Sequence, residues 1–322
     1  MFKKLKPLVL LAILAAMAVA VIWIFRLDTQ RKQGSFLREL VNIDQSKATK
    51  FVVTPAGKPE DAITLELSDG KWFASLHGKR YLANREMMER IFQISSPMVP
   101  EQLVSRTRDM FVQHQVDDVT GTRVKVFYGK RLAADFVVGG YQFLQQMVQG
   151  QQRPSVFTYV RLAGQDDVYT VRGFLSSFFP AQLNQYRDQT VLNTNRGDIE
   201  KISFQGPESF NYELIREGSY WLVNNKQADS AAMAFYLGEI ANLSSSAFVD
   251  YEAEGWLNLA SHQMTIQRKS GLPVEILAYP ADTTHQFFIT SSQNPGSVFS
   301  GSEQDLFENI FFPDAFFMGM PQ

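Results

Sequence analysis

The sequence contains no cysteine among its 322 residues. This absence excludes disulfide bonds, cysteine-ligated zinc, iron–sulfur clusters, thiol nucleophiles and the acylated cysteine of a lipoprotein anchor. Stability must therefore come from packing, for which a chain of this length has enough residues. A surplus of charge of one sign is also missing, since 31 basic residues face 33 acidic ones and the formal net charge is −2. Nothing in this balance favours nucleic acid as a partner.

Sequence signatures of catalysis and of cofactor binding are missing as well. The four histidines are His77, His114, His262 and His285. They show neither an HExxH motif nor a paired i, i+4 spacing, and the chain has no GxSxG elbow, Walker A loop, GxGxxG fingerprint or EF-hand loop. The adjacent pairs Asp117-Asp118 and Asp166-Asp167 are interpreted as turn residues, with contacts to calcium as the alternative. We therefore predict no catalytic residue, no metal and no cofactor.

The longest hydrophobic run lies near the amino end, from Leu8 to Phe25. Its 18 residues carry no charge, and as a helix they would rise about 27 Å, close to the hydrocarbon thickness of a bilayer. Lysines at positions 3, 4 and 6 precede it. By the positive-inside rule we predict a single-pass protein of the inner (cytoplasmic) membrane, with a cytoplasmic N terminus and a periplasmic or extracytoplasmic bulk. A cleaved signal peptide stays open as the alternative, because Ala18-Val19-Ala20 has the small-x-small form of a cleavage site.

Beyond this run, the same series of strand and helix signals occurs twice. Trp72 and Trp221 each follow a hairpin turn that contains glycine. Asn84 and Asp229 then each precede a helical pattern and are predicted to cap it. Each series continues into a meander of strands and ends in the tripeptide Phe-Phe-Pro. The repetition predicts two copies of one structural unit.

The predicted fold is α+β, with two tandem β-rich modules and packed helices after a single N-terminal transmembrane helix. Two unrelated β-rich domains with generic hairpins are the alternative. The predicted segments are a basic cytoplasmic tail (1–7), the transmembrane helix (8–25), a linker (26–40), a first α+β module (41–190) and a second α+β module (191–322).

Four short segments carry a resemblance to a known family. They are Val116-Asp117-Asp118, Gly121-Thr122-Arg123-Val124, Thr158-Tyr159-Val160-Arg161-Leu162 and Asp167-Val168-Tyr169-Thr170-Val171. With these segments, the turn before Trp72 and the apolar run, nearly the whole chain resembles the bacterial DUF4340 family of domains of unknown function. The resemblance implies an extracytoplasmic auxiliary protein of an ABC-type exporter similar to the gliding-motility transporters. The family has no assigned catalytic residues, so none is carried over.

Two apolar segments are candidate partner-binding surfaces. The glutamine-rich stretch 139–154 is predicted to be a loop between two strands, which is either a docking loop or a flexible connection. The aromatic run from Phe307 to Met318 either packs the last helix onto the second module or leaves an exposed docking patch. The candidate residues are Tyr141, Phe143, Leu144, Met147, Phe311, Phe312, Phe316 and Phe317.

The function expected from these observations is that of a non-enzymatic, membrane-anchored accessory or scaffold subunit of an ABC-type transport (export) complex. Its expected partners are the lipid bilayer, through residues 8–25, and an ABC-type permease and ATPase complex or other envelope proteins. An envelope enzyme such as a cell-wall hydrolase is one alternative, and it requires polar groups that converge in a pocket. A transporter-independent envelope assembly or adhesion factor is another.

Overall fold

A computed structural model describes residues 38–148, 151–208, 210–250, 253, 255, 257, 259–281, 284 and 286–319. The side chains of residues 146–148 and 151–153 are outside this description. The predicted transmembrane segment 8–25 and His285 also lie outside the described residues. No helix within the described residues is long and apolar enough to cross a membrane.

Antiparallel β-sheets dominate the fold, with a few helices packed on them, so the α+β class predicted from the sequence is confirmed. The first sheet has nine strands in the order β4-β3-β2-β1-β6-β7-β8-β9-β5. Its strands are β1 (Lys50–Thr54), β2 (Ile63–Ser68), β3 (Lys71–Leu76), β4 (Lys79–Leu82), β5 (Pro100–Ser105), β6 (Thr122–Tyr128), β7 (Arg131–Val148), β8 (Gln151–Leu162) and β9 (Val168–Arg172).

A second sheet has eight strands in the order β14-β13-β12-β11-β16-β17-β18-β19. A two-stranded sheet of β10 (Thr190–Asn193) and β15 (Asn242–Ser244) accompanies it. The strands of the second sheet are β11 (Ile199–Gln205), β12 (Tyr212–Glu217), β13 (Tyr220–Val223), β14 (Lys226–Gln227), β16 (His262–Arg268), β17 (Val274–Pro280), β18 (Phe287–Ser291) and β19 (Phe299–Ser300).

The two longest helices begin where the sequence places polar caps. The side chain of Asn84 accepts a hydrogen bond from the backbone N–H of Met87 at 2.8 Å, and that of Asp229 accepts one from Ala232 at 2.7 Å. Both capping predictions are thus confirmed. The α-helices of the described chain are α1 (Arg85–Ser95), α2 (Phe111–His114), α3 (Ser230–Ile240), α4 (Leu306–Ile310) and α5 (Asp314–Phe317).

Eight strands of the first sheet follow the same order as the eight strands of the second sheet. The ninth strand of the first sheet, β5, is added at its edge beside β9. Trp72 is the second residue of β3, and Trp221 is the second residue of β13. Trp72 lies edge-on against the rings of Phe51 and Phe92, at 5.7 Å from each, while Trp221 is buried in the second core. Both tryptophans therefore occupy the same position in equivalent strands, and each packs against the core of its own sheet.

Each sheet has its own hydrophobic core, and the two cores divide between Tyr186 and Val191. Arg187 lies at this division and is 1% exposed. Its guanidinium is sandwiched between the rings of Tyr81 and Phe248, at 3.6 and 3.7 Å from their centroids. It also contacts the carboxylate of Asp250 at 2.5 and 3.0 Å. One buried cation thus joins residues of both halves of the chain.

Candidate functional site

Strands β7 and β8 continue beyond the rest of the first sheet as a two-stranded ribbon. Strand β6 pairs with β7 only as far as Val138, and β9 pairs with β8 only from Phe157 onward. Past those points β7 and β8 pair with each other, as far as Val148 opposite Gln151. We call residues 141–148 and 151–156 the arm. The prediction of a loop over residues 139–154 is therefore wrong, because residues 141–148 and 151–154 form two paired strands.

One face of the arm carries exposed aromatic rings. Tyr141 is 50% exposed and Phe143 is 63% exposed, and their rings meet edge to face with centroids 5.5 Å apart. The ring of Phe174, which is 43% exposed, lies 4.7 Å from Tyr141. Since neighbouring residues of a strand face opposite sides, the exposed Leu144 lies on the other face. Tyr141, Phe143 and Phe174 form an aromatic cluster on the surface.

The candidate residue Met147 belongs to β7, but its side chain lies outside the described part of the chain. Within the described residues, the sequence therefore placed three candidates, Tyr141, Phe143 and Leu144, on the arm. Phe174 was missed. It lies directly after Gly173, whose φ of +108° marks a turn, and a large aromatic residue at an exposed turn is the signal that indicates it.

The base of the arm is fixed by a bulge at Gly139-Gly140. The register between β7 and β8 shifts between Val138 and Tyr141. A Cβ atom on Gly139 would lie 2.4 Å from the carbonyl oxygen of His114. The end of α2 thus packs directly on the backbone of the bulge, and only glycine permits this approach.

A side-chain hydrogen bond and a ring contact add to this support. The hydroxyl of Tyr159 donates to Oε1 of Gln142 at 3.0 Å. The ring of Tyr159 lies 4.2 Å from the ring of His114, which is buried, at a tilt of 37°. Burial lowers the pKa of His114 below its usual range, so this histidine is a neutral packing residue at neutral pH. Tyr159 on β8 and His114 on α2 therefore support the base of the arm.

Arg161 on β8 ties the loop after α2 to the sheet. Its buried guanidinium donates from Nε to the carbonyl oxygen of Val116 at 2.8 Å and lies 4.4 Å from the ring centroid of Phe111. Asp117 accepts hydrogen bonds from the backbone N–H groups of Val119 and Thr120, as a turn residue does. Segments that carried the family resemblance therefore meet in space at the base of the arm.

Charged side chains around this base are paired with one another. Arg108 contacts Asp166 at 2.7 Å, and Arg123 contacts Asp135 through two bonds of 2.8 Å. Members of both acidic pairs, Asp117, Asp118 and Asp166, line a depression of about 370 Å³. No group of three or more residues that could hold a metal ion occurs among the described residues. The pairing indicates that these charges hold the loops in place.

Comparison with known proteins bears on the same region. A family model described as "Domain of unknown function (DUF4340)" matches residues 83–261, which is more than half of the chain. The chain belongs to the DUF4340 family. The DUF4340 match contains the whole arm and its base but ends before β16, so the C-terminal aromatic run lies outside it. No curated protein and no solved structure matches the chain.

The C-terminal candidates of this DUF4340 protein divide into two sets. Phe311 and Phe317 are buried in the second core. Phe312 and Phe316 are only half-buried and lie near the exposed ring of Phe235 on α3, at 6.5 and 6.1 Å. Most of the aromatic run therefore packs the chain end onto the second sheet, and a smaller exposed patch remains beside α3.

His262 is enclosed by phenylalanine rings. The rings of Phe210, Phe287, Phe307 and Phe311 lie between 5.1 and 5.5 Å from it. Burial lowers its pKa below the usual range. The hydroxyl of Ser261 contacts its Nδ1 at 3.0 Å. These contacts make His262 a neutral part of the second core.

A cleft of about 740 Å³ lies between the two sheets. Residues of β4 form one wall, and residues of β17, β18 and the loop 292–298 form the other. Polar groups on its walls have partners of their own, since Ser297 accepts a hydrogen bond from Arg187 at 2.9 Å at the junction and Glu275 accepts one from Gln263 at 2.6 Å within the second sheet. No motif in the sequence pointed to this junction.

Proposed function

We propose that the protein is a non-enzymatic accessory or scaffold subunit of an ABC-type transport complex, anchored in the inner membrane by residues 8–25. The uncharged 18-residue run after three lysines supports the anchor and an extracytoplasmic body. Membership of the DUF4340 family is compatible with this role. In this proposal the body binds the transporter and performs no chemistry of its own.

We further propose that the body consists of two tandem modules that are copies of one unit, at residues 41–190 and 191–322. The shared strand order and the two separate cores support this division. The equivalent positions of Trp72 and Trp221, and of the caps Asn84 and Asp229, support it as well. Structural features that occur in only one of the two modules are then candidates for a function specific to that module.

The observation that carries the proposed function is the exposed aromatic cluster on the arm. Tyr141, Phe143 and Phe174 place three rings on one surface, whereas Gln142 and Tyr159 at the base of the arm are half-buried and joined by a hydrogen bond. Exposed aromatic rings on a fixed element are typical anchors of protein–protein interfaces, because they bury a large apolar area at a small entropic cost. The function best supported by this geometry is docking.

Co-purification of the full-length protein from its own membranes tests this role. Phe143→Ser removes the most exposed ring of the cluster, and Phe235→Ser is the matched control, because Phe235 is 54% exposed on the other module. We expect Phe143→Ser to reduce recovery of an ABC-type permease and ATPase about tenfold, the effect of losing an interface anchor. Phe235→Ser should leave recovery unchanged.

Two results would contradict the proposal. Equal recovery of the transporter with Phe143→Ser and Phe235→Ser would show that the arm is not part of the interface. Recovery of other envelope proteins with no transporter component would instead favour the assembly-factor alternative. Thermal unfolding of both variants should match the wild type, because each changed side chain is exposed.

A further inference from the structure

The outer edge of β7 is unpaired along the arm. Within the described residues, no strand pairs with β7 on that side beyond Val138. A two-stranded ribbon is of marginal stability in water, and an open edge is a template for another strand. The arm is therefore suited to strand addition.

The register shows which backbone groups of β7 face outward. Pro154 has no N–H and lies opposite Gln145 without a register shift, so these two residues form a non-hydrogen-bonded pair. The carbonyl of Val156, opposite Phe143, accepts from Gly173 at 2.8 Å on the far side of β8, which gives the same assignment. Phe143 and Gln145 consequently direct their backbone N–H and C=O groups away from β8.

The outer edge of β8 is less suited to strand addition. Pro154 leaves it without a donor at one outward position, and the carbonyl of Val156 is already bonded. The outer edge of β7 has no proline from Tyr141 to Val148. The two edges of one ribbon thus differ, and β7 offers the complete set of groups.

The absence of charged residues along this edge indicates which kind of strand can pair with it. No charged residue occurs from Gly139 to Gln152, so the lysines that usually protect an edge strand are missing. An uncharged segment can align with a copy of itself without placing like charges opposite each other. Gln145 carries a side-chain donor and an acceptor that suit such a pairing.

We propose that residues 141–148 of β7 pair in antiparallel fashion with the same residues of a second copy of this chain. Antiparallel pairing of identical edges places the twofold axis perpendicular to the ribbon. The two arms then form one four-stranded ribbon, with both aromatic clusters on the same face. This inference goes beyond the proposed function and does not depend on which protein the clusters bind.

A cysteine scan tests the pairing directly, because the full-length chain has no cysteine of its own. Single cysteines are introduced at Gln142, Phe143, Leu144 and Gln145, and membranes are oxidised mildly. Only residues near the twofold axis can form a disulfide with themselves. We expect one or two adjacent positions to give about ten times more covalent dimer than the control Ser155→Cys, which lies on β8 opposite Leu144.

A proline variant distinguishes strand pairing from chance collision. Gln145→Pro removes an outward N–H but no bond within the arm, as Pro154 does on β8, whereas Gln145→Ala keeps the donor. Each of these two changes is combined with the cysteine, at a position other than 145, that gives the most covalent dimer. Gln145→Pro should then reduce the yield of covalent dimer roughly tenfold, because each copy loses a hydrogen bond. The proposal is overturned if no position on β7 exceeds Ser155→Cys, if the proline variant cross-links as well as the alanine variant, or if the cysteines react only with another protein.

Discussion

At the scale of single residues, Arg187 is among the largest side chains that the fold buries completely. A buried guanidinium is tolerated when an opposite charge pairs with it, and both terminal nitrogens of Arg187 are hydrogen-bonded here, although its Nε has no partner among the described residues. Asp250, Ser297 and the rings of Tyr81 and Phe248 surround it. The sequence gives no sign of this site, because its members are up to 216 residues apart and form no local motif. Only the packing of the two halves brings them together.

Arg187→Ala should lower the free energy of unfolding by about 3–5 kcal/mol, because Asp250 is then left as an unpaired buried charge. Arg187→Lys should also destabilise the protein, since an ammonium cannot bond both carboxylate oxygens and stack between two rings. Arg108→Ala is the control. Its ion pair with Asp166 is exposed and should contribute less than about 1 kcal/mol. Denaturant unfolding of the full-length protein measures all three, and equal losses for Arg187→Ala and Arg108→Ala would contradict the account.

His262 makes stability depend on pH. Burial lowers its native pKa below the ordinary value of 6.5, to which it returns on unfolding. As the pH falls through about 6.5, the unfolded state gains a proton that the native state does not take up, so the free energy of unfolding decreases. His262→Phe should flatten this dependence between about pH 7.5 and 5.5, and His114 should supply the remainder. A wild type that becomes more stable on acidification in this range would show that the assignment is wrong.

At the scale of elements, local signals predicted the helix starts and failed for the arm. Asn84 and Asp229 mark the starts of α1 and α3 because a cap is a contact within four residues. The arm was predicted as a loop because the stretch is rich in glutamine and lies between two strand patterns. Its strands depend instead on pairing between β7 and β8 and on the bulge at Gly139-Gly140. Those are contacts between distant residues that a local pattern does not contain.

The two glycines of the bulge should respond differently to the same added methyl group. A Cβ on Gly139 meets the backbone oxygen of His114 at 2.4 Å, whereas a Cβ on Gly140 first meets the movable end of the Gln115 side chain at 2.9 Å. Gly139→Ala should therefore cost about 1–3 kcal/mol of unfolding free energy, and Gly140→Ala less than about 1 kcal/mol. Chemical denaturation compares them. Similar costs at both positions would contradict the packing described for the bulge.

Shortening the arm should leave the body folded. Leu144 and Ser155 form a hydrogen-bonded pair by the register described above. Residues 145–154 can therefore be replaced by Asn-Gly, which closes a two-residue hairpin at such a pair. The unfolding free energy should change by less than about 1 kcal/mol, because none of the described side chains removed belongs to a core. A loss of several kcal/mol would show that the arm is part of the fold and not an appended element.

At the scale of the whole molecule, the two sheets repeat one strand order but expose different surfaces. The outer face of α1 carries ion pairs such as Arg85 with Glu89. The outer face of α3 exposes Ala231, Ala234 and Phe235. The first sheet carries the arm on β7 and β8, whereas the corresponding β17 and β18 are only 7 and 5 residues long. Hydrophobic periodicity in the sequence predicts the elements that the sheets share, but surface features unique to one sheet had to be found in the structure.

Site-specific photo-cross-linking tests docking by the arm most directly. A photoreactive amino acid replaces Phe143 in the full-length protein in its own membranes, and the same replacement at Phe235 is the control. The account predicts that the probe at Phe143, on the exposed cluster, forms a covalent adduct with an ABC-type permease that mass spectrometry identifies, and that the probe at Phe235 does not. An equal adduct at both positions, or no permease adduct at Phe143, would contradict it.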